Sequence, residues 1–178
     1  MWLLSIGNTK AADDAAAIIS RHFSRLTDLN LARTKISDQS LAEIGKLSRL
    51  KGLNLAFTAI SDDGLRQLKK LKKLSRLTLG GAGVTDIGVA ELSKSTSLRQ
   101  LNLSGTSLTD KGLAHIAGIL ELESLQIVDT KVTAGGLLQL KDMKKLQSLY
   151  VPKHVEKDPE RLVELRTSLP ALRDLVLR

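Results

Sequence analysis

The chain has no cysteine among its 178 residues. That excludes disulfide frameworks, cysteine-ligated zinc and thiol nucleophiles, and it rules out the cysteine caps common on secreted repeat proteins. Aromatic residues are nearly as scarce: Trp2, Phe23, Phe57 and Tyr150 are the whole set, 2% of the sequence. A nucleic-acid face that stacks bases on aromatic rings therefore has few platforms to use. Long apolar runs are also missing, since no stretch approaches the roughly 18 residues that a membrane span needs. The opening Met1-Trp2-Leu3-Leu4-Ser5-Ile6 is apolar, yet it is too short for a signal-peptide core and has no basic leader. The expectation is a cytoplasmic protein without membrane association. No Gly-x-Ser-x-Gly, His-Glu-x-x-His or phosphate-loop lysine occurs, so no catalytic residue is nominated and no enzyme is expected.

The hydrophobic content of 42% is nearly all Leu, Ile, Val and Ala, a bias that suggests repetition. Aligning the Leu-x-Leu triplets gives Leu29/Leu31, Leu53/Leu55, Leu77/Leu79, Leu101/Leu103, Leu125/Ile127 and Leu149/Val151, each pair 24 residues after the last. Chance does not hold a register through five intervals. Leu26, Leu50, Leu74, Leu98, Leu122 and Leu146 recur three residues ahead, so each unit opens as a half-buried strand. A second block follows: Thr34-Lys35-Ile36-Ser37-Asp38, Thr58-Ala59-Ile60-Ser61-Asp62 and Thr106-Ser107-Leu108-Thr109-Asp110, with weaker copies at Gly83–Asp86 and Thr130–Thr133. It reads as a helix start, with Ser or Thr as cap and Asp at the positive end of the helix dipole. Leu65, Leu68 and Leu71, like Leu113, Ile116 and Ile119, then space one buried face of a short helix.

On these residues the unit resembles the leucine-rich repeat family, in the subtype with Thr-x-Ile/Val-Ser/Thr-Asp-x-Gly-Leu after the strand. It is similar to repeats in F-box-linked substrate adaptors and in many bacterial multidomain proteins, which makes a bacterial source the expectation. The resemblance implies an α/β fold: a leucine-rich repeat solenoid, a right-handed coil with a parallel concave β-sheet and short helices on the convex side. It covers residues 26–151 closely, with 1–25 a partial N-terminal repeat and 152–178 a degenerate terminal one, broken by Pro152, Pro159 and Pro170, in a single domain. Eight strands about 4.8 Å apart would give a sheet about 34 Å long. Two departures stand out. Threonine replaces the usual ladder asparagine, and Ser95 takes a position that is apolar in the other units, which predicts a local weak point.

The candidate cofactor, metal and nucleic-acid features are each accounted for by the coil. Gly80-Gly81-Ala82-Gly83 follows a strand as a dinucleotide-binding turn does, but the fingerprint's third glycine falls on Asp86, and these are strand-exit positions. No cofactor is expected. Asp38, Asp62, Asp86 and Asp110 form a row that helix-start duty explains without calcium, and His22, His115 and His154 occupy unlike repeat positions, so no metal is expected. The net charge of +8 eases the approach of acidic partners. Its lysines, however, gather at helix C-termini and return turns (Lys46; Lys69, Lys70, Lys72 and Lys73; Lys141, Lys144 and Lys145), where they suit the dipole, so nucleic acid is disfavoured as a partner.

Partner choice is expected on the outward strand positions of the concave sheet. The central row there is Ser5, Asn30, Asn54, Thr78, Asn102, Gln126, Tyr150 and Val176. Beside it run Arg33, Phe57, Gly81, Gly105, Asp129 and Lys153, with Asp28, Arg76, Gln100 and Asp174 on the other flank. Gly80, Gly81 and Gly105 would leave a hollow about 10 Å across between Phe57 and Asp129. Phe57 and Tyr150 would be the energetic centres. The favoured function is a non-catalytic protein-binding scaffold, free-standing or the recognition arm of a larger protein; the alternatives are a module that stacks end to end with itself and, ranked last, a polyanion binder.

Overall fold

The computed structural model describes residues 2–178; Met1, the first residue of the short apolar opening, lies outside the described residues. Strands β1 (Leu3–Ser5), β2 (Asp28–Asn30), β3 (Gly52–Asn54), β4 (Arg76–Thr78), β5 (Gln100–Asn102), β6 (Ser124–Gln126), β7 (Ser148–Val151) and β8 (Asp174–Leu177) form one parallel sheet in sequence order. Between them lie α1 (Asp13–His22), α2 (Asp38–Ile44), α3 (Asp62–Leu65), α4 (Asp86–Leu92), α5 (Asp110–Ile116), α6 (Ala134–Leu137) and α7 (Pro159–Ser168). The helices after β3 and β6 are only one α-turn long and continue as 3-10 turns at Arg66–Lys70 and Leu138–Leu140. The strand register places Leu4, Leu29, Leu53, Leu77, Leu101, Leu125, Leu149 and Leu175 on adjacent strands, so the 24-residue spacing is a spatial stack.

Burial follows from the alternation. Leu29 and Leu31 face the helices and are buried, while Asn30 between them is half-buried, and the pattern repeats from β2 through β7, the two end strands being less covered. The helices supply Leu41 and Ile44, Leu65 and Leu68, or Leu113 and Ile116 to the same core. The terminal unit is closed by α7, whose Asp158 caps Arg161 N–H ahead of Pro159 and whose Leu165 reaches the core.

Two polar systems bind the coil, and they differ from the expectation. Thr34, Thr58, Thr106 and Thr130 are buried, and each hydroxyl donates to the carbonyl three residues back in its own repeat, 2.6–2.7 Å away. Threonine therefore closes a turn inside its own unit and does not carry a ladder. The ladder is made by the aspartates. Asp38 accepts from Ser61 N–H and O–H, Asp62 from Thr85, Asp86 from Thr109 and Asp110 from Thr133, all at 2.6–2.8 Å. Asp13 begins the series on Ser37. Each carboxylate thus holds the helix entry of the next repeat. The expected hydroxyl caps also form, at Ser37, Thr85, Thr109 and Thr133, but not at Ser61.

The glycine of the Asp-x-Gly motif belongs to the same device. A Cβ at Gly64, Gly88, Gly112 or Gly136 would overlap the carboxylate of Asp38, Asp62, Asp86 or Asp110, one repeat earlier. Where the motif carries Ser40 instead, its hydroxyl donates to Asp13 at 2.6 Å. Among the described residues, every buried side-chain nitrogen or oxygen has a hydrogen-bond partner.

Candidate binding face

The strands present three outward rows, and register sets their order. On the first flank stand Asp28, Gly52, Arg76, Gln100, Ser124, Ser148 and Asp174. Arg76 forms an ion pair with Asp28 from two strands away, directly across Gly52. A Cβ at Gly52 would strike the Asp28 carboxylate, so the missing side chain lets the pair close. The repeat alignment puts Arg76 and Asp28 on this flank without showing that they pair. The signal was available: Gly52 interrupts a row of long polar residues.

The central row is less free than expected. The side-chain carbonyls of Asn30, Asn54 and Asn102 accept from the backbone N–H two residues on, at Ala32, Ala56 and Ser104, 2.9–3.1 Å away. Each asparagine therefore fixes its strand exit and offers mainly its NH2 group to a partner. Asn30 gives that donor to Ser5 and Asn102 gives it to Gln126 at 3.0 Å, whereas Asn54 has no side-chain partner for its own among the described residues. Thr78, Gln126 and Tyr150 are half-buried on the same row. Together the first two rows line a groove of about 290 Å³ that runs from Asp28 to Gln126.

The exit row has a backbone signature. Asn8, Arg33, Phe57 and Asp129 have φ between +54° and +61°, and Gly81 and Gly105 have φ of +68°. Left-handed backbone is a property of this position in every one of these units, so the two glycines ease a tight exit. Their second effect is unequal, which corrects the expected hollow. The Phe57 ring lies over Gly81, where a Cβ would meet it, so Phe57 fills that half of the depression and does not stand as a wall beside it. Gly105 has room for a side chain: a Cβ there would make only ordinary contact with Gly81 backbone, 3.6 Å away.

Phe57 remains 54% exposed, and the Arg33 guanidinium sits 4.2 Å from its ring centroid. Such a cation–aromatic contact is worth about 0.5–1 kcal/mol at an exposed site. A looser version stands at the far end, with the Arg178 guanidinium 5.7 Å from the Tyr150 ring. Four strand spacings, about 19 Å, separate the two aromatic centres. The open floor at Gly105 lies between them, with Asp129 exposed on the next repeat.

No cluster of three or more metal-ligating side chains exists among the described residues, and His22, His115 and His154 stand apart. No helix among the described residues is long and apolar enough to cross a membrane.

Residues 94–117 match the family profile described as Leucine Rich repeat. No curated protein matches the chain. Among solved structures it is similar to an internalin (inlF) from Listeria monocytogenes, with a TM-score of 0.68 and 18% identity over 97% of this chain and 52% of that one. It is also similar to internalin C2 (inlC2) from the same organism, with a TM-score of 0.62 and 19% identity over 99% of this chain and 80% of that one. The plant peptide hormone receptor RGFR1, solved in complex with RGF2, gives a TM-score of 0.64 and 18% identity over all of this chain and 28% of the receptor. The chain thus spans about half of the inlF chain and a smaller part of the receptor. With the 24-residue stack, the parallel sheet and the matched repeat in agreement, the chain has the leucine-rich repeat solenoid fold.

Proposed function

We propose that this chain is a non-catalytic recognition scaffold that binds another protein across the outward face of its sheet. The observation that carries the reading is the exposed Phe57, braced by Arg33, beside an open floor at Gly105 and a polar groove of about 290 Å³. Aromatic and arginine side chains next to a depression are the usual energetic centres of protein interfaces. The partner would lie across the strands from Arg33 to Tyr150. Asn54 and Gln126 would contribute hydrogen bonds, Thr78 and Asn102 the floor, and Asp129 a charge at the rim. The Arg76–Asp28 pair would hold the first flank rigid. The likeness to a receptor solved with a peptide hormone supports a polypeptide ligand at the level of the fold.

Affinity capture from the native source followed by mass spectrometry supplies the partner, and the site is tested on it. Phe57→Ala or Tyr150→Ala should each weaken binding by about 2 kcal/mol, roughly thirtyfold. Gly105→Phe, at a position whose left-handed backbone already carries Phe57 in another repeat, should block the floor. Unchanged affinity in all three variants would remove the sheet face from the reading. End-to-end association is the second reading, favoured by Trp2 and Leu3, each 62% exposed at edge strand β1.

A further inference from the structure

Most of the core is sealed. Ile44, Ile116 and Leu140 are 0% exposed, yet Leu68 and Leu92, which take the same place in their own repeats, keep 4%. Leu71 and Leu74 keep 3% where Ile119, Met143, Leu50, Leu122 and Leu146 have 1% or less. Ile19 at 4% and Leu26 at 3% show the same at the β1 end, but in the interior of the stack these helix-side positions flank Ser95, the residue standing where the other units place Leu47, Leu71, Ile119 and Met143. A short polar side chain there opens a cleft of about 270 Å³ on the helix side, with Leu68, Leu71, Leu74 and Leu92 in its lining.

The cleft has a charged rim. Lys69, Lys72 and Lys94 line it, and none of them has an acidic partner within ion-pair distance among the described residues. Elsewhere on the helix side Lys46 pairs with Glu43 and Lys145 with Glu121, while Lys70 gives its ammonium to the Gln67 side-chain carbonyl. Glu91 is the acid of the rim, and Arg66 already engages it at 3.4 Å. Ser97 spends its hydroxyl on the Leu74 carbonyl at 2.7 Å, and Ser95 lies 3.4 Å from Ser97.

We propose that this cleft is a second binding site, which takes an apolar side chain carried by an acidic segment of a partner protein. The volume falls below the range of about 300–1,000 Å³ typical of small-molecule pockets, which suits one inserted side chain. The unpaired lysines supply complementarity to carboxylates on either side of that anchor and speed its approach. Aliphatic lining without an aromatic platform favours a peptide over a nucleic acid.

The test uses a fluorescein-labelled hexapeptide of two leucines flanked by glutamates. Controls are a version with glutamines in place of the glutamates and a labelled oligothymidylate. Fluorescence anisotropy should show saturable binding of the acidic peptide, at least tenfold weaker for the glutamine version. Ser95→Leu restores the residue type of the neighbouring repeats and should raise Tm while weakening the peptide at least tenfold, so lost binding is not lost folding. Lys69→Glu with Lys72→Glu should weaken it similarly, and Phe57→Ala should leave it unchanged. The proposal is overturned by absence of saturation at millimolar protein, by equal affinity for wild type and Ser95→Leu, by loss on Phe57→Ala alone, or by oligothymidylate binding tighter than the peptide.

Discussion

At the scale of single residues, the solenoid is held by a contact between units that no local rule describes. Asp110 reaches forward to Thr133 and occupies the space that a side chain at Gly136 would need, so aspartate and glycine are coupled across 26 residues. Gly135, one position earlier, has ordinary room, since a Cβ there would come no closer than 3.7 Å to Thr133 Oγ1. Gly136→Ala should therefore cost about 1–3 kcal/mol through overpacking. Gly135→Ala should be neutral or stabilise by about 0.4–1 kcal/mol through the unfolded chain. Urea unfolding of the two variants checks the pair, and equal effects would break the proposed coupling. The Asp-x-Gly spacing was legible in the sequence, but its partner was not. Helix-start duty explains an aspartate after a Ser/Thr cap equally well, and only the stacking distance shows which N–H the carboxylate takes. The same limit hid the work of Asn30, Asn54 and Asn102, which looked like free contact residues and are half committed to strand exits.

At the scale of elements, the joint between α1 and α2 differs from the later ones. Asp13 accepts from Ser37 and also from Ser40, where the other units have glycine. Burial raises its pKa, but the hydrogen bonds from Ser40 and Ser37 outweigh it, and the carboxyl is held below its ordinary value. A depressed carboxyl stabilises the fold above the unfolded-state value, near 3.9, and that contribution fades as pH falls through the lower folded-state value. Acid should thus loosen the α1–α2 joint, and Asp13→Asn should flatten this part of the pH dependence. Hydrogen exchange of α2 amides between pH 5 and 2.5 reads the change directly, and identical profiles for wild type and variant would refute it. The elements themselves were readable because apolar spacing switches from two to three or four within each unit. Ser95 was readable as a defect for the same reason. That the defect is a lysine-rimmed cleft required the packing of Leu68 and Leu71 against it.

At the scale of the whole molecule, sequential parallel pairing makes β1 and β8 the outermost strands among the described residues. The β1 end shows Trp2 and Leu3 at 62% exposure and Phe23 at 43%, with Trp2 and Phe23 beside a hollow of about 260 Å³. Exposed apolar groups beside an unpaired edge favour strand addition, and β8 of a second copy has the matching direction. Such a contact joins unlike surfaces, so it does not close into a dimer and would build open chains. Light scattering should then show mass rising continuously from micromolar to hundreds of micromolar protein. Trp2→Glu, at an exposed position, should suppress the rise without changing the helical circular dichroism. A mass fixed at one chain across that range would discard end-to-end stacking.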